Sequence, residues 1–215
     1  MLDFSHTFEK YEALVAEIDK VFEAMQQAHP DCVRCKTYCS DCCHAVFDVT
    51  LVESVYLNHH FNRTLKRGER RKILKQAEKA DRKFYQIKQK LQKMYVKEGK
   101  SPEEVLNELA EERVPCPLLN EENLCGLYDR RPITCRVYGI PTSIGGKSHI
   151  CAESGFKEGT PYPTVNLDNV NDRLFALSKE LLEEIRSDRL KMHMSLVAVS
   201  AALMTGYDKE YFGIE

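Results

Sequence analysis

The sequence predicts a mainly α protein: a helical domain with irregular, cysteine-rich, metal-stapled loops. Three observations lead there. Two long segments repeat apolar residues at alternating steps of four and three. Nine cysteines among 215 residues, with no Trp at all, avoid those segments. Six of the eight prolines and six of the ten glycines crowd into residues 114–165, where little regular structure fits. A hydrophobic fraction of 43% and a charged fraction of 30% are ordinary globular values and exclude wholesale disorder. The length suits a single domain over 1–215.

The first segment runs through Phe4, Phe8, Tyr11, Val15, Ile18, Phe22 and Met25. Steps of 4, 3, 4, 3, 4, 3 define a helix with one narrow seam, and Pro30 closes the region. Residues 31–48 hold the first cysteine segment, 32–43, and have neither period. Thr50 and Glu53 then have the form of a capping box, predicting a short helix to about His60.

Residues 63–100 carry 15 Lys or Arg against 4 Asp or Glu. Within them Ile73, Ala77, Ala80, Phe84, Ile87, Leu91 and Met94 repeat the same steps, predicting a long helical arm over about 63–98. Two narrow seams on helices of similar length suit an antiparallel pair. Gly99 ends the arm. Ser101, Pro102 and Glu104 start another helix as N-cap, N1 and box partner. Its acidic run, Glu103 to Glu112, is placed to neutralise part of the arm. The second cysteine segment, 115–151, follows. C-terminal helices are expected over about 168–205, the first with Val170, Leu174, Leu177, Leu181 and Ile185 on one face, the second capped by Ser195. No alternating strand pattern stands out.

A formal net charge of -2 gives no global pull toward nucleic acid or an anionic membrane. The basic arm has no aromatics interleaved on its charged face, because Phe84 and Tyr95 follow the apolar side. Nucleic-acid binding is therefore not expected. Membrane insertion is not expected either, since no apolar run approaches the roughly 20 residues a spanning helix needs. Met1 to His6 lacks a basic stretch leading into an apolar one, so a cytoplasmic location is expected.

In a reducing compartment such cysteines read as metal ligands before disulfides. Cys32, Cys35, Cys39, Cys42 and Cys43 lie within twelve residues; Cys116, Cys125, Cys135 and Cys151 lie far downstream. Soft thiolates select zinc, Cu(I) or iron–sulfur clusters. Adjacent Cys42 and Cys43 point in different directions, which suits two metals or a polynuclear centre better than one small ion. His44 and His149 sit beside cysteines but are more simply explained without metal. Arg131 and Arg136 flank Cys135 and are candidate cofactor-binding groups, because a thiolate centre carries net negative charge.

The run ending in Cys42-Cys43, the stretch Pro115-Cys116-Pro117-Leu118-Leu119, then Cys125-Gly126-Leu127-Tyr128, and Arg130-Arg131-Pro132-Ile133-Thr134-Cys135-Arg136 resemble the CxxCxxCC, or YkgJ-like, cysteine-cluster family. Cys151 corresponds to that family's last cysteine. The resemblance covers about residues 32–151. It implies a zinc- or iron-chelating domain, in iron–sulfur form a 4Fe–4S cluster, with zinc as the alternative metal. It implies Cys35, Cys39, Cys42, Cys43, Cys116, Cys125, Cys135 and Cys151 as ligands. One branch, the flagellin lysine methylases, resembles it with a methyltransferase activity attached. Two features depart from the pattern: three residues, not two, separate Cys35 from Cys39, and Cys32 is additional.

Cys35-x3-Cys39-x2-Cys42 also coincides with the radical S-adenosylmethionine motif. Asp41 stands where those proteins usually have an aromatic, and no βα repeat accompanies it. Three functions stay open at this stage: an iron–sulfur protein acting with a protein partner, a lysine N-methyltransferase-like enzyme, and a zinc-stapled helical interaction module.

Overall fold

The computed structural model describes residues 2–36 and 38–214; Thr37, inside the first cysteine segment, lies outside the described residues, as do Met1 and Glu215. In chain order the elements are α1 (Ser5–Ala28), a 3-10 turn (Asp41–Cys43), β1 (Asp48–Thr50), α2 (Leu51–Thr64), α3 (Arg67–Val96) and α4 (Pro102–Glu111). There follow a 3-10 turn (Tyr128–Arg130), α5 (Ile133–Val137), β2 (Thr142–Ile144), β3 (Lys147–His149), β4 (Val165–Asn166) and α6 (Leu167–Glu184). A further 3-10 turn (Leu190–Met194), β5 (Leu196–Ala198), α7 (Val199–Met204) and α8 (Lys209–Phe212) complete the chain. The protein is mainly α, as its sequence predicts.

The two capping boxes form as their residues dictate. The Thr50 backbone N–H and hydroxyl both donate to Glu53 Oε2, at 3.0 and 2.9 Å. Ser101 accepts from the Glu104 N–H and donates to its carboxylate. Asn166, not a residue further on, caps α6 by accepting from the Asn169 N–H at 3.0 Å.

α2 is buried on nearly every side, from Leu51 to Asn58 and again at Phe61, so it runs through the middle of the molecule. Its polar groups are matched. The Val52 N–H donates to Ser178 Oγ of α6, and the Asn58 amide donates to the carbonyls of Ala202, Leu203 and Thr205 at the end of α7. These bonds satisfy helix-end groups that would otherwise be buried without partners.

Three apolar clusters make up the core, and α2 contributes to two of them. The first joins α1, α2, α5, α6 and α8 through residues such as Phe8, Tyr11, Leu14, Val55, Ile133, Leu181 and Phe212. The second joins Leu57 and Phe61 to Leu118, Leu127, Val199 and Leu203, with Cys116 and Cys125 packed against it. The third seats Ala80, Phe84, Ile87 and Leu91 of α3 on Val114 and Ala198, with Val105 and Leu109 of α4 beside them.

Several expectations are corrected. The seams of α1 and α3 do not pair: α1 belongs to the first cluster, whereas α3 packs on α7 and α4. A heptad stripe marks a buried face without naming what covers it. The α1 stripe also rotates, burying Leu14 rather than Val15, because 3.6 residues per turn drift away from a strict repeat. Short strands exist after all. β1 pairs antiparallel with β5, and the second sheet has order β3-β2-β4 with β2 and β4 parallel. At two or three residues each they are too short to show alternation. Ser195 starts no helix: it closes the 3-10 turn Leu190–Met194 and precedes β5, and Ala198 is the N-cap of α7. Tyr95 is 56% exposed and does not follow the apolar face.

The acidic helix does meet the basic arm, through Lys90, which pairs with Glu108 and Glu112. Among the described residues no helix is long and apolar enough to cross a membrane.

Candidate metal centre

A cavity of about 570 Å³ opens where the three clusters meet. Phe22 of α1, Phe84 of α3 and Ser200 of α7 form part of its wall. Most of the remainder comes from the cysteine-rich segments. Cys35, Cys39, Cys42, Cys43, Cys116, Cys125, Cys135 and Cys151 all line it, together with Arg131, Arg136, Tyr128 and Tyr138. Cys32 is not on the wall; it packs against the first apolar cluster. His44 and His149 are also absent from the wall: His44 Nδ1 lies 2.9 Å from the Ser40 carbonyl, and His149 is exposed in β3. Among the described residues no three His, Cys, Asp or Glu side chains converge tightly enough to hold a single ion. The eight sulfurs stand around a volume, not at a point.

Local structure places each thiol. The turn Asp41–Cys43 is closed by the Cys43 N–H on the Ser40 carbonyl and the His44 N–H on the Asp41 carbonyl, both 2.9 Å. The Cys116 N–H donates to the Cys43 carbonyl at 2.7 Å, which lays the second cysteine segment against the first. Between Cys116 and Cys125 the chain turns back, held by Asn120, whose side-chain oxygen accepts from the N–H groups of Glu122 and Leu124. Cys135 lies in α5, whose first N–H, that of Ile133, donates to Glu53 Oε1 at 3.0 Å. The Gly155 N–H donates to the Cys32 carbonyl at 2.8 Å and brings the Cys151 segment to the first loop.

Two glycines make room. A Cβ on Gly139 would lie 2.1 Å from Cys35 Sγ, and one on Gly155 would lie 2.7 Å from the Asp31 carbonyl oxygen. Neither position could be found from the sequence, because each approach joins residues distant along the chain.

Burial governs the thiol chemistry. It pushes Cys35 and Cys116 up to about 12 and raises Cys125, Cys135 and Cys151. Neighbouring thiolates add to the effect. Cys42 is the exception, lowered to about 7 because the Cys43 thiol donates to it and Arg131 faces it; Cys43 is raised in turn. The first proton of the Cys42–Cys43 pair therefore leaves more readily than the second. A soft cation binding here displaces the rest, since thiolate and not thiol is the ligand.

The two arginines differ. Arg136, 8% exposed along its side chain, is committed to structure: Nη1 bonds both Asp19 oxygens, Nε the Arg131 carbonyl and Nη2 the Asp129 carbonyl. Arg131 stacks over Tyr128 at 3.8 Å, and its buried Nε has no hydrogen-bond partner. Its charge acts on Cys35, Cys42, Cys125 and Cys135. Asp41 faces the same wall, 3.5 Å from Cys151 Sγ. Burial raises Tyr138, and a hydrogen bond to Asp41 adds to it.

The donor set fits a soft metal or a sulfur-bridged cluster: eight thiols, with a cation and an unpartnered N–H facing them. Helices built around such a cavity define a cysteine-cluster metal-binding protein. Residues 34–152, more than half of the chain, match the family model described as "CxxCxxCC: Putative zinc- or iron-chelating domain", and the protein belongs to that family. No curated protein and no solved structure matches the chain.

Proposed function

We propose that the protein is an iron–sulfur protein, binding 4Fe–4S clusters through Cys35, Cys39, Cys42, Cys43, Cys116, Cys125, Cys135 and Cys151 and acting with a protein partner. The observation that carries this reading is the arrangement of eight thiols around about 570 Å³. A structural zinc draws four ligands onto one point with Zn–S near 2.3 Å. A cluster with spread corners suits sulfurs set around a volume, and takes its ligands as cysteine thiolates. Such a group supplies one-electron chemistry when bound.

The chain's own residues do the rest. The eight thiolates hold the group, and Arg131 stands where it balances their negative charge. Tyr128 and Tyr138 sit over the wall, limiting water. Burial of Cys116, Cys125 and Cys135 favours a compact, low-charge complex over separate thiolates.

Purification without oxygen tests the reading. Iron and acid-labile sulfide in near-equal amounts, with a brown absorption that reductant bleaches, are expected. Stoichiometric zinc with no iron, from cells grown with both metals, would overturn it in favour of a zinc-stapled interaction module.

A further inference from the structure

We propose that the eight thiols form two separate four-thiolate centres, Cys43, Cys116, Cys125 and Cys135 holding one and Cys35, Cys39, Cys42 and Cys151 the other. The inference rests on the metal-binding reading above and assigns its ligands.

Three lines of geometry divide them. The first is the turn carrying Cys42 and Cys43. A 3-10 turn advances about 120° per residue, so adjacent side chains diverge and two neighbouring thiols serve one ion only with strain. The second is the backbone around Cys43. The Cys116 N–H bonds its carbonyl, the Val114 N–H bonds the carbonyl of His44, and Ala45 bridges to Arg113. The return from Cys116 to Cys125 is locked by the Leu119–Cys125 bridge and by the Gly126 N–H on the Leu118 carbonyl. Cys116 and Cys125 therefore move as one unit with Cys43, and both pack on the second apolar cluster.

The third line concerns the opposite wall. The Gly155 N–H ties the Cys151 segment to Cys32, Gly139 lies directly against Cys35 Sγ, and Cys151 Sγ reaches Asp41. Cys35, Cys39 and Cys42 lie on the first loop, to which the Cys151 segment is thereby tied, and Cys42 diverges from its neighbour Cys43 in the turn. Four ligands per centre then leave Cys135 of α5 to complete the group of Cys43, Cys116 and Cys125.

The test uses full-length protein, reconstituted without oxygen with ferrous iron and sulfide, and separately with zinc. Wild type, Cys116→Ser, Cys151→Ser, Cys42→Ser, Cys43→Ser and the Cys116→Ser/Cys151→Ser double variant are compared by metal per chain and by electron paramagnetic resonance after reduction. Each single variant should keep about half of the wild-type metal, since each centre takes four ligands, and the double variant almost none. Cys42→Ser should reproduce the residual signal of Cys151→Ser, and Cys43→Ser that of Cys116→Ser. Gly139→Ala, which displaces Cys35 without removing a ligand, should lose the same half as Cys151→Ser.

A single variant that empties the protein, or Cys42→Ser grouping with Cys116→Ser, overturns the division while leaving metal binding intact. Zinc in place of iron, halved by the same variants, supports the division and sinks the iron–sulfur reading. A wild type that takes up neither metal overturns both. Far-ultraviolet circular dichroism confirms that each variant keeps its helices.

Discussion

The Glu53 carboxylate accepts the backbone N–H of Ile133 at 3.0 Å while its other oxygen holds Thr50. One buried side chain thus starts α2 and fixes the N-terminus of α5, the short helix that carries Cys135. Burial raises Glu53, whereas the three donors around it favour the charged form. Its role is to place a thiol, with no need to touch the cavity itself.

Glu53→Gln is expected to destabilise the protein by about 1–3 kcal/mol, because the new amide must turn a donor toward Thr50 or Ile133 and leave a buried N–H unpaired. Urea titration would show the loss. Unchanged stability would mean that the Ile133 N–H finds another acceptor.

His60 should set an acid limit. Burial, then Arg130 and His59, lower it to about 4 from an ordinary 6.5, against a smaller opposing effect of Glu12; Arg63 also faces it. A histidine depressed in the folded state takes up its proton more readily when unfolded. The stability it contributes is complete above pH 6.5 and is lost as pH falls toward 4. His60→Leu should flatten the fall in melting temperature between those values. An unaltered profile would assign the acid limit to other groups.

Gly155→Ala drives a methyl into the Asp31 carbonyl and lies 3.0 Å from Cys32 Cα, both backbone positions that cannot swing aside. A cost of about 1–3 kcal/mol is expected. Hydrogen exchange should rise first at the Gly155 N–H that bonds Cys32. Full stability with full protection there would show that the two loops tolerate separation.

Lys90→Ala should leave the melting temperature nearly unchanged, although Lys90 bridges two glutamates, because exposed ion pairs are screened by water and salt. A clear loss that persists in high salt would make α4 a stronger brace for α3 than its exposure implies.

What the sequence disclosed follows how local each determinant is. Thr50 with Glu53 and Ser101 with Glu104 could be read directly, since a capping box is decided within four residues. The α1 and α3 stripes disclosed buried faces but not their partners, among them α5 and α6 for α1 and α7 for α3, more than a hundred residues away. The strands were hidden because a three-residue strand exists only through its pairing. The order of the cysteines, joined to the family resemblance, pointed to the residues that the structure brings to one cavity. Gly139 and Gly155 could not be singled out, as only the folded chain shows what presses on them. Arg131 and Arg136 looked equivalent from spacing; Asp19, distant in the sequence, is what separates them.

The walls of the cavity also impose a calendar on the chain. Its thiols begin at Cys35 and end at Cys151, so during synthesis the first loop must wait until more than a hundred further residues have appeared. Closing so long an interval costs entropy that grows only slowly with its length, and the site repays the whole of that cost only once Cys151 has arrived. The helices on either side can form beforehand; the cavity is completed last. Cells that bring the metal too early would meet Cys35, Cys39, Cys42 and Cys43 alone, four thiols crowded in nine residues and free to bind it in a geometry the finished protein does not use.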